Sequence, residues 1–386
     1  MSKPSRTGRF PKNDIITLLD VNRRFNLAES TAQDLCLADV VALCGGMDKP
    51  GDLRLGYGSS AGLPRLRQVV ASQSGVEIDD VVTTNGTALG LFLVAFEVCR
   101  PGDEAVIATP CFPPSRDTLA GAGIRLVEHR LSFTDGYRLS VDAITPLLNE
   151  RTRLVSLASP QNPSGVATSL DQIAALLDIM RDKAPDALLF VDETYRDATH
   201  GSRPALRSAA ALDQRVITGG SVSKAHGAPG LRCGWLTVRD SAMRARLITA
   251  KMNLVLSGST LDETLAAGIL EHRDAILGPR RQLLADGAAL VEAWVHSEQG
   301  RVEWVPPDAG ALCCLRLSPD HFEDEQIVRF WSRLPGAELQ LGDGAWFGES
   351  SLVFRLGFGY LALDDLQVAL GRLTGVLDAV QSNNAR

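Results

Sequence analysis

Between about residues 80 and 240, short apolar runs alternate with stretches of helical periodicity. The runs consist mostly of Val, Ile and Leu without polar alternation, which is typical of strands buried on both faces. We predict strands at Val81–Thr84, Glu104–Thr109, Arg125–Glu128, Leu154–Ala158, Leu188–Asp192, Val216–Thr218 and Trp235–Val238. Helical stretches such as Leu170–Arg181 separate them. Strand–helix alternation predicts an α/β fold, a large domain with a mainly parallel seven-stranded sheet flanked by helices.

The two ends of the chain have a different pattern. Residues 1–45 contain one amphipathic stretch, Ile15–Phe25, which is too little for a domain. A long helix pattern over residues 280–298 is followed by the strand signals Ala311–Leu317 and Ser351–Leu356, with the helix signals Asp324–Trp331 and Leu363 to about Val380. We therefore predict a large domain over residues 46–280 and a smaller α+β domain over residues 281–386, to which an N-terminal arm, residues 1–45, also belongs.

Composition excludes several classes of protein. The net charge of −7 and the absence of a basic block argue against a nucleic-acid or membrane-surface partner. No apolar run approaches the roughly 20 residues of a membrane span, and Met1–Asp14 lacks the apolar region of a secretory signal. The seven cysteines are an odd number scattered through apolar runs. They indicate reduced thiols in a cytoplasmic protein, and neither a disulfide framework nor a metal site.

One lysine stands out as a candidate nucleophile. Of the lysines at positions 3, 12, 49, 183, 224 and 251, only Lys224 follows a buried strand and lies among small residues. Ser221, Ser223 and Arg232 flank it, and hydroxyl and guanidinium groups bind phosphate well. The P-loop motif does not fit, because it requires Gly-Lys-[Ser/Thr]. A phosphate held beside an imine-forming lysine indicates pyridoxal phosphate; a surface-loop lysine is the alternative that this motif alone leaves open.

With this motif, the sequence resembles the class I and II aminotransferases of the pyridoxal-phosphate type I fold. Further motifs occur in the family's order over about residues 50–360. The resemblance implies that Lys224 holds pyridoxal 5'-phosphate as a Schiff base in the large domain. It also implies that the cofactor phosphate is bound at the strand–turn–helix Val81–Ala88, by Gly86, Thr87 and Ala88 together with Ser221, Ser223 and Arg232. Free N–H groups at a helix start form a natural anion site, although an ordinary capped helix has the same pattern.

The resemblance assigns four more residues to the cofactor ring. Phe112 would stack on the ring, Asn162 of the Asn-Pro-Ser-Gly motif and Tyr195 would bind its oxygen, and Asp192 would keep its nitrogen protonated. Asp192 ends a fully apolar strand, where a carboxylate needs a cationic partner. Taken singly, these motifs also fit a core phenylalanine, a plain turn and a helix-capping aspartate. Ser115 stands where the family often has a second aromatic residue.

Two residues are assigned by the resemblance to substrate and partner. Arg355, within the apolar segment Val353–Phe358, would bind the substrate α-carboxylate together with Asn162; an internal salt bridge is the alternative. Tyr57, in a Tyr-x4-Gly-x3-Leu-Arg motif, would reach the cofactor phosphate of a neighbouring subunit, which implies a homodimer with shared active sites. A dinucleotide loop is disfavoured for this segment, because the glycine spacing departs from G-x-G-x-x-G.

The expected activity is transfer of an amino group between an amino acid and a 2-oxo acid, with Lys224 as general base and acid. Elimination, replacement, cyclisation and oxidation stay open, since type I members catalyse these too. The segment Arg24–Gln33 is loosely similar to type I enzymes that process arginine-derived amino acids in secondary metabolism. In that case Asp20 or Glu29 would contact a cationic side chain.

Other interpretations have less support from the sequence. For His226, we prefer a packed or hydrogen-bonded histidine to a catalytic one. A transcription regulator with an aminotransferase-like domain needs a DNA-binding domain, and the residues before Tyr57 are too few for one. A degenerate scaffold would not need to keep both Lys224 and Asp192.

Overall fold

A computed structural model describes residues 8–21, 23–44 and 53–382 of the chain. Its strands are β1 (Phe25–Asn26), β2 (Val81–Thr84), β3 (Glu104–Thr109), β4 (Arg125–Arg130), β5 (Thr152–Ala158), β6 (Leu188–Asp192), β7 (Val216–Ser221), β8 (Gly234–Val238), β9 (Val302–Val305), β10 (Leu312–Leu317), β11 (Leu339–Gln340), β12 (Gly342–Asp343) and β13 (Val353–Gly357). Its α-helices are Thr17–Asp20, Leu37–Leu43, Pro64–Ser74, Thr87–Val98, Pro113–Gly121, Val141–Ile144, Leu170–Lys183, Ser241–Val255, Thr260–Glu271, Arg273–Ser297, Asp324–Arg333, Gly344–Phe347 and Leu363–Ser382. Short 3-10 helices cover Asp14–Ile16, Ile78–Asp80, Thr145–Leu147, Ala209–Ala211, Pro229–Leu231 and Leu334–Ala337.

The large sheet has seven strands in the order β2-β8-β7-β6-β5-β3-β4. Strand β8 is antiparallel to both neighbours, and the other pairs are parallel. The predicted α/β fold with a mainly parallel seven-stranded sheet is therefore confirmed. The carboxyl ends of β3, β5, β6 and β7 meet at one edge of the sheet, where ligands bind in folds of this kind.

Helices cover both faces of this sheet, as continuous apolar strands require. In β3, Val106 packs into one hydrophobic cluster with Leu176 and Met180, while its neighbour Ile107 packs into another with Leu93 and Leu119. All six residues of β3 are buried. The absence of polar alternation in the sequence thus reflects burial on two sides.

The C-terminal part forms a second, antiparallel sheet with the strand order β12-β13-β10-β9. The helices Arg273–Ser297 and Leu363–Ser382 pack together beside it around a shared apolar core. Strand β1 from the N-terminal part pairs with β11 through Phe25 and Leu339. On this basis we propose the division of the chain predicted above: an arm over residues 1–45, a large domain over 46–280 and a small domain over 281–386.

The amphipathic stretch at the N-terminal end is divided between separate elements. The amphipathic stretch Ile15–Phe25 does not form one element: its helical part ends at Asp20, and Phe25 lies in β1. Pairing with β11 determines the structure of Phe25, and a local pattern cannot reveal such a distant partner.

The predicted helix at 280–298 begins earlier, at Arg273, and includes Pro279 in its second turn. Within the described residues, no helix is both long and apolar enough to span a bilayer.

Candidate active site

A cavity of about 700 Å³ opens at the carboxyl edge of the large sheet. The structure brings most of the predicted site residues together in its wall: Gly86, Thr87, Ala88, Phe112, Asn162, Asp192, Tyr195, Ser221, Ser223, Lys224 and Arg232. Tyr57 and Arg355 are not among the described residues that line it. Glu29, Thr31 and Asp34, from the N-terminal part of the chain, also line the cavity.

Lys224 lies in the loop after β7, and backbone contacts hold this loop in place. The carbonyl of Lys224 accepts hydrogen bonds from the N–H groups of Gly227 and Ala32, at 3.2 and 3.3 Å. The Nζ atom donates to Oγ of Ser30 at 3.2 Å and lies 3.9 Å from a carboxylate oxygen of Glu29. The amine of Lys224 is therefore held in place by its own loop and by the segment that contains Glu29, Ser30 and Ala32.

One end of the cavity is built to bind an anion. Gly86 has φ of +81° and precedes the helix Thr87–Val98, so that the first N–H groups of this helix are free of intrahelical partners. A Cβ atom on Gly86 would lie 2.6 Å from Nη2 of Arg232, which shows how closely the guanidinium approaches the turn. Ser221 and Ser223 are buried in the adjacent wall. The cation, the hydroxyls and the helix start together form a cradle whose chemistry suits an anion such as phosphate.

A partly buried carboxylate lies on another part of the wall. Asp192 ends β6, and its Oδ1 accepts a hydrogen bond from the N–H of Thr194 at 2.9 Å. Burial raises the pKa of Asp192, while the bonds from Thr194 and the charge of Lys224 act in the opposite direction. A carboxylate that is so poorly solvated is stabilised by a cationic ligand group, which a protonated ring nitrogen supplies.

Tyr195 and Asn162 form a hydrogen-bonded pair beside Lys224. The Asn162 amide lies 3.4 Å from the hydroxyl of Tyr195, which donates to Ser30 Oγ at 3.0 Å. All three side chains are buried. The turn residues after β5 and β6 thus converge on one point in the wall, as their positions at strand ends predict.

Arg355 is buried at the back of this group. Its Nη1 donates to Oδ1 of Asn162 at 2.8 Å, its Nη2 donates to the carbonyl of Ala28 at 2.5 Å, and its guanidinium stacks 4.8 Å from the ring centroid of Phe347. The Nε atom has no hydrogen-bond partner among the described residues. Burial lowers the pKa of Arg355. Both of its hydrogen-bond partners are neutral groups.

Three residues near the cavity were missed or only partly foreseen. Ser30 and Asp34 were not singled out in the sequence, because no local motif marks them. Glu29, one of two residues suggested for a cationic side chain, does line the cavity; Asp20, the other, does not and lies in the helix Thr17–Asp20. Burial and the nearby charge of Glu29 raise the pKa of Asp34.

Tyr57 and His226 lie outside the cavity wall. Tyr57 is 89% exposed. His226 is fully enclosed, 3.7 Å from a carboxylate oxygen of Asp197, and neither ring nitrogen has a hydrogen-bond partner among the described residues. Burial lowers the pKa of His226 to about 4. A packed, neutral histidine is consistent with these surroundings.

These features fit pyridoxal phosphate. The cradle at Gly86 and Arg232 would hold its phosphate, Asp192 its ring nitrogen, and Lys224 its aldehyde carbon. Tyr195 and Asn162 would bind the ring oxygen, and Phe112 in the wall would cover the ring face. Each of these groups is polar or apolar where the corresponding part of the cofactor requires it.

Comparison with known proteins agrees with this assignment. The family described as "Aminotransferase class I and II" matches residues 46–341. Capreomycidine synthase of Streptomyces vinaceus is 35% identical over 67% of this chain and 63% of its own length, so that the match spans less than two thirds of that relative. Arginine–pyruvate transaminase of Pseudomonas aeruginosa is 28% identical over 68% of each chain. The crystal structure of the PLP-dependent cyclase OrfR shares the fold, with a TM-score of 0.85 and 22% identity over 98% of this chain and 100% of that one.

Proposed function

Because the chain belongs to the class I and II aminotransferase family, whose members use pyridoxal 5'-phosphate, we propose that it transfers an amino group between an amino acid and a 2-oxo acid. One observation carries this proposal: the amine of Lys224 and the partly buried carboxylate of Asp192 line the same cavity. A proton-transferring amine and an acid that binds a ring nitrogen are what amino transfer through this cofactor requires.

The residues divide the work as follows. Bound pyridoxal phosphate supplies an electron sink for the pair left on the substrate Cα. Lys224 would take the Cα proton and deliver it to C4′ of the cofactor. Arg355 and Asn162 hold the α-carboxylate, and Arg355 gains a charged partner in place of neutral ones. Asp192 keeps the ring nitrogen protonated, while the phenol of Tyr195 and the amide of Asn162 fix the ring oxygen.

The test is a panel of ¹⁵N-labelled amino acids with a mixture of 2-oxo acids. We expect ¹⁵N to appear in a new amino acid and the donor to appear as its 2-oxo acid. Release of ammonia, a cyclic product or peroxide without ¹⁵N transfer would contradict amino transfer and assign another reaction to the same site.

A second candidate is a different reaction on a basic amino acid, such as cyclisation. Capreomycidine synthase is named as a synthase and not as a transaminase, and another relative is named for arginine. The charges in the cavity support a cationic substrate. Glu29 and Asp34 both line it, and they also raise the pKa of Tyr360, though less than burial does.

Substrate preference tests this second candidate. Glu29→Gln should raise KM for arginine about tenfold or more and leave KM for alanine within about twofold, since one charge-assisted contact contributes about 1.5–3 kcal/mol. Asp39→Asn, an exposed carboxylate in the helix Leu37–Leu43, is the matched control. Equal use of basic and apolar amino acids by the unaltered protein would contradict the proposal that the cavity has a subsite for a cationic side chain.

We propose further that two copies form a homodimer with shared active sites. Tyr57 and Leu55 are 89% and 82% exposed, and Leu256 is 58% exposed. The hydroxyl of Thr260 donates to the carbonyl of Gly56, which anchors the Tyr57 segment at the start of the helix Thr260–Glu271. Burying such an apolar set against a second copy stabilises a dimer. Light scattering should give twice the mass of 41.4 kDa; a monomer would exclude sharing.

The thiols support a cytoplasmic location. All seven cysteines are unpaired, and five of them are buried. Burial raises the pKa of Cys111 and Cys233 to about 12, which keeps these thiols protonated and unreactive. A reducing compartment suits such a chain.

A further inference from the structure

The side chain of Ser30 contacts both Lys224, the predicted Schiff-base lysine, and Tyr195, a predicted ligand of the cofactor ring. Its Oγ atom accepts hydrogen bonds from Nζ of Lys224 at 3.2 Å and from the hydroxyl of Tyr195 at 3.0 Å. Ser30 is 3% exposed and Tyr195 5%, so the bond between these two hydroxyls is shielded from bulk water, while the side chain of Lys224 is 26% exposed towards the cavity. We propose that the Ser30 hydroxyl is a further catalytic group, which binds the free amine of Lys224 and holds it where it exchanges the substrate Cα proton.

The backbone around Ser30 is fixed by contacts from both sheets. Oε1 of Glu29 accepts from the N–H of Ser30 at 2.7 Å and from that of Thr31 at 3.2 Å. The carbonyl of Ala28 accepts from Arg355, and the N–H of Ala32 donates to the carbonyl of Lys224. The serine hydroxyl is therefore placed by β13 on one side and by the Lys224 loop on the other. Such fixation is what a group that orients a reacting amine requires.

The neighbouring hydroxyl shows that this contact is specific to Ser30. Thr31 is equally buried, yet its Oγ1 atom has no hydrogen-bond partner among the described residues. Ser30, in contrast, makes both of its side-chain contacts to residues that lie 194 and 165 positions away in sequence. Both partners carry transferable protons, so the three groups form one connected chain.

Ser30 is chemically unchanged by the proton transfer at Lys224. The Cα–H bond breaks, its proton forms an N–H bond at Nζ of Lys224, and the electron pair remains on the substrate side, where bound cofactor takes it up. The ammonium so formed donates one N–H to Ser30 Oγ, which stabilises the charge. In amino transfer, Nζ would then give the proton to C4′ of the cofactor, where the electron pair would form the new C–H bond, and return to the neutral amine. Ser30 keeps its own proton throughout.

The inference rests on the proposed function only in that Lys224 acts on a Cα proton. We therefore choose a readout common to every reaction branch: exchange of the Cα hydrogen of an amino acid with D2O, followed by mass spectrometry on the holoenzyme. Ser30→Ala should slow exchange about tenfold or more, because it removes one hydrogen bond to a charged group. Ser30→Thr, which keeps the hydroxyl, should stay within about fivefold of the unaltered protein. Ser318→Ala removes an equally buried hydroxyl, 3% exposed, at the end of β10 and should change nothing.

A second arm uses the protein without cofactor and does not depend on activity. Amine acetylation followed by peptide mass spectrometry compares Lys224 with Lys183, whose side chain is 51% exposed. In Ser30→Ala, Lys224 should be labelled at least about threefold faster relative to Lys183, because its amine loses the bond that holds it. Ser318→Ala should label like the unaltered protein.

Outcomes of the two arms separate the proposals. Exchange within about twofold of the unaltered protein in Ser30→Ala, or unchanged labelling of Lys224, overturns the role of Ser30. So does a Ser30→Thr variant that binds cofactor normally but exchanges as slowly as Ser30→Ala. Loss of ¹⁵N transfer in the unaltered protein with normal Cα exchange contradicts amino transfer and leaves the role of Ser30 standing.

Discussion

Nη1 of Arg355 lies 2.8 Å from Oδ1 of Asn162, and this contact joins the small antiparallel sheet to the turn after β5 of the large sheet. The guanidinium is buried, and its other hydrogen bond goes to a backbone carbonyl. A full charge is therefore held by neutral hydrogen-bond partners behind Asn162, which lines the cavity. Its natural complement is a carboxylate of the substrate.

Substitution of Arg355 should affect substrate binding more than cofactor binding. Arg355→Gln should raise KM for the amino acid about 30- to 150-fold, the loss of a charge-assisted pair, with the cofactor absorbance unchanged. Steady-state kinetics and visible spectra measure both quantities. Arg316→Gln, in β10 of the same sheet and paired with Glu303, is the control and should keep a normal KM. An unchanged KM in Arg355→Gln would contradict carboxylate binding here.

Substitution of Asp192 should affect the chemistry more than substrate affinity. Asp192→Asn keeps the shape but removes the negative charge that stabilises a protonated ring nitrogen. We expect kcat to fall about 10²- to 10³-fold, the usual effect of losing one preorganised electrostatic contact. Single-turnover spectroscopy measures this rate. Asp186→Asn, an exposed carboxylate, should react normally, whereas a normal rate in Asp192→Asn would exclude the proposed role.

Substitution of Gly86 should weaken binding of the cofactor. Gly86→Ala places a Cβ atom 2.6 Å from Nη2 of Arg232 and forces an L-residue to adopt φ of +81°. We expect Kd for pyridoxal phosphate to rise about tenfold or more. One strained residue costs roughly 1–3 kcal/mol in the turn conformation that binds the phosphate. Fluorescence titration gives Kd. Gly102→Ala has the same kind of backbone strain, at φ of +96°, with open space around it. Equal affinities of the two variants would contradict the cradle.

Burial of His226 predicts a dependence of stability on pH. Its pKa is lowered from the ordinary value of 6.5 to about 4, so between these values the unfolded chain binds more protons than the folded one. The free energy of unfolding should therefore fall as pH decreases through this window. Between pH 7 and pH 5 the loss from this group is about 2 kcal/mol.

His226→Gln removes the titrating group and should lose that much less stability over the same interval. Urea unfolding at the two pH values measures the difference. His296→Gln, a histidine of the helix Arg273–Ser297 that is not buried, is the control and should behave like the unaltered protein. Equal pH dependence in all three proteins would show that the pKa of His226 is the same in the folded and the unfolded chain, which contradicts the proposed effect of burial.

The strands and the site could be predicted from sequence to different degrees. The inner strands of the large sheet are largely apolar runs, and burial on two faces leaves that mark in the sequence itself; the edge strand β4 is more polar and partly exposed. Lys224 and Asp192 stand directly after such runs, so their convergence at one sheet edge follows from topology. In contrast, the position of Phe25 depends on pairing with β11. A local pattern does not encode so distant a partner.

Ser30 and Asp34 were not predictable for the same physical reason. Ser30 acquires its role only because the segment around it crosses between two sheets and reaches Lys224, 194 positions away. Asp34 enters the cavity wall with the same segment. Neither belongs to a motif with fixed spacing, since their neighbours in space come from distant parts of the chain. Contacts of this kind require the folded structure.

Borohydride reduction of the holoenzyme followed by peptide mass spectrometry tests the central claim most directly. Reduction converts the imine between lysine and cofactor into a stable amine, so the attachment site can be identified by mass. We predict a phosphopyridoxyl group on Lys224 alone and no such group in Lys224→Ala. Attachment to Lys251, to another lysine, or to none would contradict the account.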